Sequence, residues 1–126
     1  MHTAATTNHF LSPHGVGTLE GPDVCAGQEG TAGQGQWIAF AGRGVTDGAI
    51  TEARFQTYGC PAIIACGSAI CERLPGRSVK EAAELDAETL NEMLGGLPLG
   101  KEHCPAMAIA ALRKALIGTD QCPIAR

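Results

Sequence analysis

The chain has 126 residues, 44% of them hydrophobic, which suffices for one domain with its own core and is too short for two. Its formal net charge is −4 and no run of Lys or Arg forms a stripe that could track phosphates, so nucleic acid is excluded as a partner. No apolar stretch reaches the roughly 18 residues of a membrane span, and the start, MHTAATTNHF, lacks the cationic head and apolar centre of a secretory signal. The expectation is a cytoplasmic protein without a membrane partner.

Residues 1–20 mix Ser, Thr, His and Gly with little apolar periodicity and predict a loosely held arm with at most a helical turn near His9. Residues 21–36, GPDVCAGQEGTAGQGQ, carry five glycines and predict a flexible loop or a weak strand pair. They contain no Gly-Lys-Ser/Thr and so form no phosphate loop. WIAFA from Trp37 and AITEARFQTY, where Ile50, Ala53, Phe55 and Thr57 approximate alternation, predict two antiparallel strands joined by a Gly-rich turn at 42–48. After Gly59 the period becomes helical: Ile63, Ile64, Gly67, Ile70, Cys71 and Leu74 share a face until Pro75-Gly76 ends it. This helix is expected to pack on the sheet.

Ser78 followed by Glu81 resembles a capping box opening the short helix VKEAAEL. Asp86 caps the next helix, which runs to about Leu94 before Gly95-Gly96. A last helix is expected from Pro105 to about Ile117, with Ile109, Leu112 and Leu116 as its core stripe, and 118–126 form a mobile tail. The organisation is thus an arm (1–20), a domain (21–117) and a tail (118–126). Strands first and helices after predict an α+β fold, a small antiparallel sheet packed against several helices.

Six cysteines suit a disulfide framework in an oxidising compartment; in a reducing one they serve as thiolates, metal ligands or packing groups, and that reading is adopted. Cys60-Pro61 and Cys104-Pro105 share a setting, each placing a cysteine at a helix N-cap with proline at the first helical position. Unpaired N–H groups and the positive helix end there favour the thiolate, the form that binds metal or attacks sulfur. His103 adds an imidazole of the kind that joins thiolates around zinc or iron. The spacing alone also fits capping and packing roles for these three residues.

Cys71 shares the apolar helix face and reads as a small hydrophobe, Cys66 as its half-buried neighbour, and Cys122 as an idle thiol in the tail. Cys25 has two placements. A turn at Glu29-Gly30 sets it opposite Gln34, where it could ligate; a turn nearer Gly35 leaves it on a first strand, too far from the loop tip. Glu-Gly is a weaker turn signal than Asn-Gly, and the second placement is the one implied by the family resemblance that ARFxTYGC carries.

The stretch EARFQTYGCPAIIACGSAICERLPGRSVKEA, followed by LPLGKEHC, resembles the U-type iron–sulfur cluster assembly scaffolds, the IscU-like and NifU-like proteins. The resemblance runs from about Ser12 to Ile117, and ARFxTYGC at Ala53 to Cys60, LPGRSVKEA, and LPxxKxHC at Leu97 to Cys104 carry it. It implies an IscU/SufE-like α+β sandwich with a site at one end, made of three cysteines plus an aspartate or histidine. It also implies a scaffold or carrier and not an enzyme: a cysteine desulfurase delivers persulfide sulfur, iron joins it, and the cluster passes to acceptor apoproteins. By position, Cys60 matches the middle cysteine, His103 and Cys104 match the histidine and last cysteine, and Lys101 matches the lysine that can occupy the empty site. The cofactor implied is a labile iron–sulfur cluster, 2Fe–2S in type, with zinc as the alternative.

Three departures stand out. The family's first cysteine falls at Gln34 and its aspartate at Gln36, so the site lacks one thiolate, with Cys25 or a homodimer partner left as replacement sources. The chaperone-recognition segment Leu-Pro-Pro-Val-Lys is LPLGK here, a flexible stretch in place of a stiff one, which weakens the expectation of an Hsp70-type chaperone. The family's N-terminal helix is curtailed, which bears on desulfurase docking. Two further readings stay open: a zinc-dependent sulfurtransferase-type persulfide acceptor, and a degenerate scaffold acting as adaptor.

Overall fold

The computed structural model describes residues 3–21, 24–31, 33, 35–44, 49–97 and 103–117. Among these the chain runs α1 (Ala4–Leu11), β1 (Cys25–Thr31), β2 (Gln36–Gly44), β3 (Ile50–Tyr58), α2 (Pro61–Arg73), α3 (Val79–Ala83), α4 (Ala87–Met93) and α5 (His103–Ile117). The strands form an antiparallel meander, β1-β2-β3. Helix α5 lies across β1 and β2, α2 across β3, and α1 packs on α2. The fold is therefore α+β, with the helices gathered on a small sheet as expected.

The sheet's inner face comes from alternation: Ile38 and Phe40 on β2, and Ala53 and Phe55 on β3, are buried. Phe40 pairs with Phe55 across the strands, their ring centroids 6.3 Å apart. Ile50 is buried too, although its spacing from Ala53 breaks the period of two. A bulge explains it: Arg43 pairs with Glu52 but Gly44 pairs with Ile50, so Thr51 is the extra residue and Ile50 returns to the core side.

Helix α2 is buried around most of its circumference, with Ala62, Ile63, Ala65, Cys66, Ser68, Ala69, Ile70 and Cys71 all inside. Small side chains let it sit this deep. At Gly67 a Cβ would lie 2.6 Å from Phe55 Cε2, so only glycine lets the helix rest on that ring. Cys66, expected half-buried, is therefore wholly enclosed.

Helices α3 and α4 start where the caps predict. Ser78 Oγ accepts the Glu81 N–H at 3.1 Å while Glu81 Oε1 accepts the Ser78 N–H at 3.2 Å, and Asp86 Oδ1 accepts the Thr89 N–H at 2.8 Å.

Two segments differ from expectation. The residues expected as a loose arm form α1, capped by Thr3 and held where Thr6 Oγ1 donates to the Leu94 carbonyl at 3.2 Å. Beyond it, Gly15 and Gly17 hydrogen-bond to the Phe55 backbone along the outer edge of β3. The glycine-rich stretch supplies a full edge strand, β1, pinned to α5 by a 2.6 Å ion pair between Glu29 and Lys114. Residues 45–48 of the expected turn and the tail at 118–126 lie outside the described residues. No described helix is long and apolar enough to cross a membrane.

Candidate functional site

Strand β3 ends at Tyr58 and the chain turns sharply into α2. Gly59 makes that turn with φ +154°, and a Cβ there would press to 2.8 Å from both Gln36 Cβ and Ile63 Cγ2. Glycine is thus required on conformation and space together. Cys60 follows as the extended N-cap of α2, Pro61 takes the first helical position, and the cysteine side chain makes no capping bond. Its sulfur is turned instead toward the start of α5.

There the two thiols meet. Cys60 Sγ lies 3.9 Å from Cys104 Sγ, and His103 Nε2 lies 3.6 Å from Cys104 Sγ. Cys104 is fully buried, Cys60 half-buried and His103 exposed, so the cluster opens on one side. The position of Cys104 corrects the expected N-cap: α5 begins at His103, which makes Cys104 its second residue. Pro105 is tolerated there because the first-turn N–H groups have no helical acceptor, and those same groups keep the positive helix end beside the sulfur.

Gln36 opens β2 at the other side of Gly59, and its Oε1 accepts the Cys60 thiol at 3.9 Å. Gln36 therefore presents a neutral amide, not a carboxylate, to the Cys60 thiol. Gln34, Lys101 and Cys122 lie outside the described residues.

The spacings can be compared with a metal's demands. Sulfur ligands at about 2.3 Å and nitrogen at about 2.05 Å around a tetrahedral ion give S···S edges of about 3.8 Å and S···N edges of about 3.6 Å. The observed 3.9 and 3.6 Å match both, with Cys104 as the shared vertex. Cys104 thus stands between a second thiol and an imidazole, each at the separation two ligands of one ion would have.

The remaining cysteines separate cleanly. Burial pushes the Cys66 thiol up, and neighbouring Cys104 and Cys60 push it further, which places Cys66 beneath the pair as a protonated packing group. Burial pushes Cys71 up to about 12, with Arg54 acting the other way. Cys25 is disulfide-bonded, which corrects the expectation that all six cysteines stay reduced. It also pairs with Gly42, while Thr31 at the other end of β1 pairs with Gln36. Six residues at about 3.3 Å each hold it about 20 Å along the strand from the thiols, so it is no ligand there.

Two groupings escaped the sequence. Nothing local signals that Cys66 lies under Cys60 and Cys104, because α5 supplies the second of them. His9 and His14 meet Glu72 at the far end of α2, a junction made by the unforeseen α1.

Fold and site together define a small α+β domain with a thiol–imidazole cluster at one end of its sheet. The chain belongs to the NifU-like N terminal domain family, whose profile matches residues 1–120. It is 35% identical over 117 residues to the iron–sulfur cluster assembly scaffold protein IscU 1 of Archaeoglobus fulgidus, covering 93% of this chain and 75% of that one. With the IscU scaffold of Azotobacter vinelandii it shares 33% identity over 111 residues, 86% of each chain. The bifunctional protein NifU/MnmA of Rubrobacter xylanophilus is 40% identical over 108 residues, of which the chain spans only 22% of the length. A crystal structure from Fervidobacterium islandicum, assigned as a cluster assembly scaffold of the SUF system, shares the fold with a TM-score of 0.61 at 17% identity, over 91% of this chain and 96% of that one.

Proposed function

We propose that this protein is an iron–sulfur cluster assembly scaffold or carrier, holding iron and sulfide as cargo between Cys60, Cys104 and His103. The observation that carries the reading is the meeting of two helix-start thiols at 3.9 Å with an imidazole at 3.6 Å, the edge lengths of a thiolate-bound metal. Such a role needs partners more than catalytic groups: a cysteine desulfurase as sulfur donor and acceptor apoproteins for the product. The half-buried Cys60 and exposed His103 form the open side through which cargo enters and leaves, while buried Cys104 anchors it. A 2Fe–2S cargo offers four terminal ligand positions, and these residues fill three. The Gln36 amide beside Cys60 would be a weak donor for the fourth, which would leave the cargo labile and suit transfer.

The unequal exposure of the thiols supports a second reading, persulfide acceptance. The Cys60 thiolate would attack the outer sulfur of a desulfurase persulfide, forming a new S–S bond on Cys60 and releasing the desulfurase thiolate. Zinc on Cys104 and His103 would order that site.

Anaerobic addition of iron and sulfide tests the two. The scaffold reading expects thiolate-to-iron charge-transfer absorption and acid-labile sulfide, both lost in the Cys60→Ala, Cys104→Ala double variant. Undiminished absorption in that variant would falsify the site. A colourless zinc protein that gains the mass of one sulfur atom at Cys60 would move the function to sulfur transfer.

A further inference from the structure

We propose a second metal site, for a divalent first-row transition ion, formed by His9, His14 and Glu72 at the end of α2 opposite the thiols. Nothing in the cluster-assembly reading uses these residues, and the inference stands without it.

The geometry is a built one. His9 lies in the last turn of α1, His14 just beyond it, and Glu72 is the penultimate residue of α2. His9 Nε2 and His14 Nε2 both face Glu72 Oε2, at 3.7 and 3.2 Å. The three ligand atoms lie within 4.8 Å of one another. Around a tetrahedral ion with nitrogen and oxygen ligands at about 2.05 Å the edges are about 3.3 Å, so the two edges that meet at the carboxylate are within about half an ångström of those of a bound ion. The rings meet edge to face, centroids 5.7 Å apart and 65° between planes, so they approach the carboxylate from different directions instead of stacking.

Ser68 holds the His9 ring and the His14 backbone. It lies one turn before Glu72 on α2 and is completely buried, yet its Oγ is 2.7 Å from His9 Nδ1 and accepts the His14 backbone N–H at 2.9 Å. A ligand imidazole held through its second nitrogen is the usual companion of a bound metal, because that bond fixes the ring and selects the nitrogen presented to the ion. Two imidazoles and one carboxylate suit zinc, iron, cobalt or nickel more than calcium or magnesium. They leave coordination positions facing a pocket of about 570 Å³ lined also by Asn8 and Ser12, so water or a small anion could complete the shell. The ion would bind α1 to α2.

Cobalt(II) tests the site on the full, tag-free chain carrying Cys60→Ser and Cys104→Ser, which removes the thiol pair. We expect one equivalent to bind with weak d–d bands and no thiolate charge transfer, and to raise the thermal midpoint. Glu72→Gln and His14→Gln change side chains that are 55% and 57% exposed, so both variants should keep the fold, checked by circular dichroism. Each should weaken binding at least tenfold and abolish the midpoint shift. No bound cobalt, or affinity unchanged in both variants, overturns the site; so does binding that depends on His103 instead.

Discussion

The two ends of α2 treat charge in opposite ways. At its start, Cys60 and the nearby Cys104 each lie against the positive end of a helix, where backbone N–H groups favour thiolates. At its finish, Glu72 is a carboxylate at a negative helix end, an arrangement disfavoured unless positive charge lies beside it. Arg73 follows it in the last turn, and His9 and His14 turn ring nitrogens toward its oxygen. One end supplies soft sulfur donors, half enclosed; the other supplies nitrogen and oxygen donors near solvent. Twelve residues separate Cys60 from Glu72, about 18 Å along the axis, too far to share an ion. A buried helix thus keeps two different donor sets apart, and each end can be perturbed separately.

The largest effect should come from joining the ends in one failure. Gly67 sits between them, and alanine there meets the Phe55 ring at less than van der Waals separation. Overpacking of this kind costs about 1–3 kcal/mol. Gly67→Ala should therefore lower the denaturation midpoint and weaken cobalt binding and cluster retention together. If denaturant titration shows wild-type stability while one end alone fails, α2 is not the common support described here.

A smaller effect should sharpen the thiol end alone. Gln36→Glu keeps the side chain's length and puts a carboxylate oxygen where the amide oxygen now faces Cys60 at 3.9 Å. That supplies an anionic donor beside the thiols in place of a neutral one. Zinc affinity should rise about tenfold, or about 1.4 kcal/mol, with a longer cluster lifetime. Competition titration against a chelator checks it, and equal affinities would mean that the Gln36 side chain does not reach the ion.

How legible all this was in the sequence depends on how local each cause is. Ser78 with Glu81, and Asp86 with Thr89, close their bonds within three residues, so both helix starts could be read directly. Cys60 and Cys104 announced themselves through the proline that follows each. The edge strand β1 could not be read from CAGQEGT, because its order comes from pairing with β2 and from the Glu29–Lys114 ion pair. Helix α1 was hidden for the same reason. Eight residues do not hold a helix by propensity, and its support is α2 and the Leu94 carbonyl, far along the chain. The Cys66 and His9 environments depend on those tertiary contacts, so they became visible only in the fold. The Cys25 disulfide was not legible either, because the fold and not the local sequence decides which thiols come within bonding distance.

The smallest effect separates the two ends by pH. Burial holds the His9 imidazole below its ordinary value of 6.5; Glu72 acts the other way, and His14 adds to the lowering. The folded state therefore takes up this proton less readily than the unfolded chain. Its contribution to stability is present above pH 6.5 and is lost as pH falls from there through the folded value, after which the curve levels. Cys66 and Cys71 are raised above 9.0, so they stay protonated in both states across this range and lose their contribution only on the alkaline side. The caps Glu81 and Asp86 start from ordinary values of 4.5 and 3.8, below the same window. Between about pH 6.5 and 5 the slope assigned to these groups thus belongs to His9. His9→Asn, which can still reach Ser68 with a short polar side chain, should flatten denaturant-measured stability in that interval while leaving the alkaline limb unchanged. Parallel wild-type and variant curves on the acid side would place the titrating group elsewhere and leave His9 merely packed against Ser68.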